Sequence, residues 1–178
     1  EAALDAGADI LNDVSGLSDP EMPFLAAERD APLVLMHSLD VPVDPDRTVH
    51  YDDVVEDIVR SLRELVLQAE AAGLDRGQIL VDPGLGFGKS PGLDFEILGR
   101  IHEFHGLGCP VLVGHSHKSM FGLIGRGPEE RGVATAAASA LAARNGADVI
   151  RVHDVAETVD AVRTAEAAAR GTDYRPDE

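Results

Sequence analysis

The sequence predicts an α/β protein whose parallel sheet is covered by helices. Five short, near-continuously apolar runs alternate with segments of helical periodicity. Strands buried on both faces read as such unbroken runs, whereas half-buried strands alternate. Each run closes on polar residues: Asn12, His37, Asp82, Ser116 with His117, and Arg151 with His153. In parallel α/β folds the carboxyl ends of the strands are where sites are built.

Residues 1 to 8 read as the end of a helix with Gly7 as its cap, feeding the apolar run Ala8 to Val14 and the turn Ser15-Gly16. The chain opens on Glu1, not methionine, which suggests that something preceded it. A helix is expected from Asp19 to about Glu28, with Pro20 in its first turn. Pro32 to His37 is the second strand, and Ser38 to Val49, rich in Pro and Asp, is a surface loop. From Tyr51 to Ala72, Val54, Val55, Ile58, Val59, Leu62, Leu65, Val66 and Ala69 recur at helical spacing, and Gly73 ends the helix. The third strand, Ile79 to Asp82, is followed by a helix from Asp94 to His105, and the fourth strand, Cys109 to Gly114, runs into His115-Ser116-His117-Lys118-Ser119-Met120. An alanine-rich helix from Glu129 to Asn145 precedes the fifth strand, Asp148 to Asp154, and a last helix reaches about Arg170. Residues 1–170 form one unit, and 171–178 are a polar tail.

Composition bounds the function. The 32 acidic residues outnumber the 15 Lys and Arg, for a net charge of −17, which excludes a nucleic-acid binder and favours surroundings rich in counterions. The acids are spread through every helix, a pattern that fits adaptation to high salt. Only Lys89 and Lys118 are lysines, and both lie in loops after strands, so both are candidate functional residues. No apolar run approaches a transmembrane length and no signal pattern opens the chain, so no membrane association and a cytoplasmic location are expected. The single Cys109 is expected to be an inert core thiol.

The sequence around Asp82 is Ile79-Leu80-Val81-Asp82-Pro83-Gly84-Leu85-Gly86-Phe87-Gly88-Lys89. Proline and three alternating glycines force the backbone out of the sheet and leave a carboxylate at the mouth of the fold. Its two coplanar oxygens suit a pair of parallel N–H donors or a metal. A carboxylate that caps its own turn is the competing reading. The spacing matches neither the dinucleotide fingerprint nor a P-loop, which would need glycine at Pro83. Arg151 and His153, two apart, point to one side of their strand and suggest an anion site; an ion pair with Asp154 is the alternative. The pairs His102/His105 and His115/His117 lack a third ligand for zinc, and Ser116 beside His117 lacks a hydrolase elbow.

Five ordered segments carry a family resemblance: Gly7 to Val14, Leu35-Met36-His37, Asp82 to Lys89, Val113 to Met120, and Ile150 to Val155. Together they resemble the signatures of the dihydropteroate synthases, a pterin-binding (βα)8 TIM barrel family. The resemblance places the chain on the fourth to eighth βα units, an incomplete parallel barrel with an unpaired edge. A full barrel needs about 250 residues, so roughly the first three units, on the order of 70 to 100 residues, would lie outside it.

The resemblance implies a transferase of folate biosynthesis that joins 6-hydroxymethyl-7,8-dihydropterin pyrophosphate to 4-aminobenzoate, giving 7,8-dihydropteroate and pyrophosphate. Asn12, Met36, Asp82, Gly114 and Lys118 would bind pterin, and Arg151 and His153 the pyrophosphate. Phe87, Lys118 and Ser119 would meet the aminobenzoate. Magnesium is the implied cofactor, with its ligand in the part of the barrel outside this chain, and a homodimer through the last helices is the implied assembly. Two departures stand out: His117 replaces the arginine usual before Lys118, and Ser38-Leu39 replaces the usual residues after Met-His. The alternatives are a barrel that moves a methyl group from a reduced folate to a corrinoid, and a non-catalytic pterin-binding fragment. Residues upstream of Glu1 would discriminate between them.

Overall fold

The structure is a computed structural model that describes residues 1–39 and 49–175. Most of the expected loop from Ser38 to Val49 and the last three residues of the tail lie outside the described residues. Helices α1 (Ala2–Asp5), α2 (Met22–Glu28), α3 (Val54–Ala71), α4 (Pro91–Gly99), α5 (Gly132–Arg144) and α6 (Val155–Arg170) alternate with strands. The strands are β1 (Leu11–Asp13), β2 (Leu33–Met36), β3 (Ile79–Asp82), β4 (Leu112–Val113) and β5 (Val149–Ile150).

All observed pairings are parallel, and the strands lie side by side in chain order. Leu11 to Asp13 pair with Leu33 to Leu35, and Leu33 to Met36 with Ile79 to Asp82. Leu112 and Val113 pair with Val149 and Ile150. A Val81↔Val111 bridge joins the two ladders, with Val81 N–H donating to Pro110 O at 2.9 Å. The expected α/β class is therefore what the chain adopts. Among the described residues β1 and β5 each pair on one side only, which leaves Ile10 and Val149 partly exposed.

Helix α3 shows why the sequence folds this way. Val54, Val55, Ile58, Leu62, Val66 and Ala69 are buried on one face. Burying a Val, Leu or Ile is worth roughly 1.5–3 kcal/mol before ordering costs, so this stripe anchors the helix against the sheet. Asp53 caps it by accepting from Val55 N–H at 2.9 Å and Glu56 N–H at 3.0 Å. The core joins this face to Leu33, Leu35, Ile79, Val81, Ile97, Phe104, Val113 and Phe121. Cys109 lies inside it, its thiol pushed up by burial, as expected of an inert core cysteine.

The boundaries differ from expectation in four places. Helix α2 starts at Met22 with Pro23, not Pro20, in its first turn. Residues 94–105 divide into α4, capped by Ser90, and a 3-10 helix over Ile101–Leu107, because the αR path breaks at Arg100 (φ −121°). The alanine-rich helix starts at Gly132 after a 3-10 turn over Pro128–Glu130. Strands β4 and β5 are two residues each; Pro110 has no N–H to offer a ladder, and Asp148 Oδ2 takes the Val111 N–H at 2.7 Å.

Candidate pterin and anion site

Asp82 ends β3 opposite Met36, the last residue of β2. Its residue is 1% exposed, and Oδ1 accepts the Gly84 N–H at 2.7 Å. Oδ2 carries no hydrogen bond among the described residues. One oxygen thus closes its own turn, as the competing sequence reading has it, and the other has no hydrogen-bond partner among the described residues. Gly84 is dictated by the turn. Its φ is +69°, and a Cβ there would lie 1.8 Å from His37 O.

Lys89 holds the loop from beneath. It is buried, and its Nζ donates to Gly84 O at 2.7 Å and to His37 O and Phe87 O at 3.4 Å. Burial pushes this ammonium down to about 8, against the pull of Asp94 and Asp82. Asp94, in the first turn of α4, accepts the Gly86 N–H at 2.8 Å and is pushed up to about 6, chiefly by burial. His37 is held down to about 3 by burial and by Lys89, so it is neutral beside the loop.

Lys118 reaches in from the β4 side. Its Nζ donates to Leu85 O and lies 4.4 Å from the Phe87 ring centroid. Burial lowers its pKa, opposed first by Asp82. The Asp82 carboxyl is raised by burial, with the Gly84 N–H, Lys118, Arg151 and Lys89 pulling the other way. An anionic acceptor and three cations therefore share one electrostatic neighbourhood.

Arg151 follows β5 and donates from Nη1 to Asn12 Oδ1 at 3.1 Å, bridging the first and last strands of the layer. Its guanidinium lies against Gly114, where a Cβ would come within 2.8 Å of Nη2. The alternative reading, an ion pair of this cation with Asp154 or another acid, is not seen among the described residues. Asp154 pairs instead with His117, Nε2 to Oδ2 at 2.7 Å, and Arg151 has no carboxylate partner among the described residues. His153 Nδ1 meets Ser116 Oγ at 2.7 Å, leaving Nε2 without a partner among the described residues.

Asn12, Met36, Asp82, Gly114, Lys118, Phe87 and Arg151 are thus linked around the ends of the strands, and His153 stands on the same loop as Arg151. Ser119 is not drawn in: it is exposed, and its hydroxyl makes no hydrogen bond among the described residues. The remaining histidine pairs serve the fold. His105 bonds Gly146 O at 2.8 Å, and buried His115 bonds Ser139 Oγ at 2.9 Å. Sequence reasoning flagged Lys89 through lysine scarcity but gave it no role. It missed Asp94, an acid on a helix like many others here. A cleft of about 560 Å³ between β5 and α6 touches this site only through Arg151.

A carboxylate oxygen and a guanidinium without ionic partners among the described residues thus stand at the carboxyl ends of the strands of one parallel α/β layer. The model of the pterin binding enzyme family matches residues 1–153, and the chain belongs to that family. It is 65% identical over 92% of its length to a Haloferax volcanii protein named "Probable bifunctional folylpolyglutamate synthase/dihydropteroate synthase", of which it covers 20%. Dihydropteroate synthase from Anaplasma phagocytophilum with bound 6-hydroxymethylpterin-monophosphate superposes with a TM-score of 0.90 at 40% identity, over 94% of this chain and 66% of that one. The Xanthomonas albilineans dihydropteroate synthase with 4-aminobenzoic acid gives 0.85 at 43% identity, over 94% of this chain and 60% of that one. The chain thus spans one-fifth of the bifunctional relative and about two-thirds of the solved synthases.

Proposed function

We propose that the chain is the fourth to eighth βα units of a (βα)8 barrel and works as part of a dihydropteroate synthase. The observation that carries this reading is that Asp82, whose Oδ2 has no partner among the described residues, shares its electrostatic surroundings with Lys118 and with an Arg151 that no described carboxylate neutralises. The ligands bound in the two solved relatives, 6-hydroxymethylpterin-monophosphate and 4-aminobenzoic acid, support it.

In this reading Asp82 Oδ2 accepts from the amino-pyrimidinone edge of the pterin, Met36 and Gly114 line its floor, and Lys118 reaches its polar rim. Asn12 holds Arg151 toward the diphosphate, and His153 adds a donor. The amine of 4-aminobenzoate attacks the methylene carbon, the C–O bond to the diphosphate breaks, and the amine loses a proton. An aromatic amine is nucleophilic while neutral, so the chain's main contribution is to stabilise the departing charge and to position both reactants. Phe87 lies along the aminobenzoate ring, and Ser119 meets its carboxylate.

Magnesium prefers hard oxygen donors, and the oxygens near Arg151 are already engaged: Asn12 Oδ1 by the guanidinium, Ser116 Oγ by His153 and Asp154 Oδ2 by His117. No cluster of three or more His, Cys, Asp or Glu fit to hold a metal occurs among the described residues. No described residue is therefore assigned to the ion, and magnesium stays in the proposal with its ligand in the part of the barrel outside this chain. The charge of −17 supports work at high salt, no helix among the described residues is long and apolar enough to cross a membrane, and a cytoplasmic homodimer completes the proposal.

The test is dihydropteroate formation by the complete barrel polypeptide in molar salt. Lys118→Ala is expected to lower the rate by at least about a hundredfold, the loss of two charged hydrogen bonds. Full activity in that variant removes the assignment, and methyl transfer to a corrinoid without condensation favours the methyltransferase alternative.

A further inference from the structure

The backbone ladder of β4 and β5 stops at Val113 and Ile150, yet the pairing continues through side chains. Ser116 meets His153, and His117 meets Asp154, each with a separation of 37 residues. The strand pairs Leu112↔Val149 and Val113↔Ile150 have that same offset. These side chains are therefore two further rungs of the same parallel register, carried into loops where backbone pairing has ended.

The rungs join the two loops that bear Lys118 and Arg151. Those two cations carry like charge, and Arg151 is among the groups that lower the Lys118 pKa. Asp154 shows that the second rung competes well for its carboxylate. It occupies the N-cap of α6 but makes no capping bond, its Oδ2 being engaged by His117 instead; a capping Asp is ordinarily among the favoured arrangements at that position. His117 is itself fixed from behind. Its φ is +55°, its N–H donates to Thr135 Oγ1 at 3.1 Å, and its carbonyl accepts from Arg131 Nη1 at 2.8 Å.

The first rung also orients a ring. The His153 backbone N–H donates to Ser116 Oγ at 3.2 Å, and we assign the hydroxyl proton to the 2.7 Å contact with His153 Nδ1, a contact whose direction follows the ring tautomer. Nε2 then carries the proton of the neutral ring and has no partner among the described residues. A donor is held ready on the loop of Arg151.

We infer that Ser116 and the His117–Asp154 pair are positioning residues for the anionic leaving group. They tie the loop that bears Lys118 to the loop that bears Arg151 and hold His153 with Nε2–H free. This rests on the reading of Arg151 and His153 as the diphosphate site. It assigns a role to His117 where the family resemblance implies an arginine: the residue ties loop to loop and takes no part in meeting the aminobenzoate.

Affinity for two ligands that differ only in the anion tests the inference. In the complete barrel polypeptide, dissociation constants are measured for 6-hydroxymethylpterin and for its diphosphate. Ser116→Ala and Asp154→Ala are each expected to weaken diphosphate binding about fivefold, the scale of one lost hydrogen bond, while hydroxymethylpterin binds unchanged. Ser116→Thr, which keeps the hydroxyl, is expected to restore the wild-type preference. Equal losses for both ligands, or no loss for either, overturn the positioning role. A wild-type protein that binds both ligands equally overturns instead the diphosphate reading of Arg151 and His153.

Discussion

Asp82→Asn separates binding from stability, because the two are expected to move in opposite directions. The substitution keeps an oxygen for the Gly84 N–H, bonded at 2.7 Å, but places an NH₂ where Oδ2 stood. The pterin N–H that met Oδ2 then faces a donor. A charged hydrogen bond is worth about 1.5–3 kcal/mol, so its loss is expected to weaken pterin binding by at least about tenfold. Stability responds the other way. The Asp82 carboxyl is raised above its ordinary value, first by burial, despite three nearby cations. A group with a raised folded pKa holds its stabilising contribution below the unfolded value and loses it as pH climbs through the folded one. The carboxylate therefore strains the fold at neutral pH. Asp82→Asn is expected to raise the Tm at pH 7.5 and to leave it unchanged at an acidity where Asp82 is protonated. Fluorescence titration with hydroxymethylpterin and thermal melts at the two pH values check both arms. A lower Tm at pH 7.5, or pterin affinity within tenfold of wild type, refutes the account of this carboxylate as destabilised by burial and satisfied by its ligand.

Gly84→Ala forces a Cβ to within 1.8 Å of His37 O at a φ of +69°, and strain plus overpacking is expected to cost about 3 kcal/mol or more; Gly92→Ala, where a Cβ meets nothing within 4 Å, is the matched control in urea denaturation, and equal midpoints refute the reasoning. Asp94, carried from 3.8 to about 6 chiefly by burial, loses its contribution as pH rises through 6. Asp94→Asn keeps an acceptor for Gly86 N–H but removes a counter-charge of Lys89, so a gain of about 1–2 kcal/mol is expected at pH 7.5 and none at pH 4; denaturation that shows destabilisation at pH 7.5 contradicts this.

The sequence by itself determined the parallel α/β class and the set of residues that end its strands. Unbroken apolar runs as short as Leu33 to Met36, bounded by turn residues, read as strands covered on both faces, and Asp82-Pro83-Gly84 turns the backbone out of the sheet. Both signals are local, written in neighbouring residues. It also marked Lys89 and Lys118, because lysine is nearly absent elsewhere. What it did not determine is who meets whom. Asp154 stands three residues beyond Arg151 and reads as its partner, yet it reaches across to His117, while Arg151 turns to Asn12 at the other end of the chain. Ser116 and His117 are neighbours that bond to different residues of the opposing loop. The limits of α4 and β5 and the burial of Asp94 were equally hidden, since each depends on what packs against the segment. Local chemistry sets the element and its polar end, but the pairing of charges depends on distances that exist only once the strands are side by side in register.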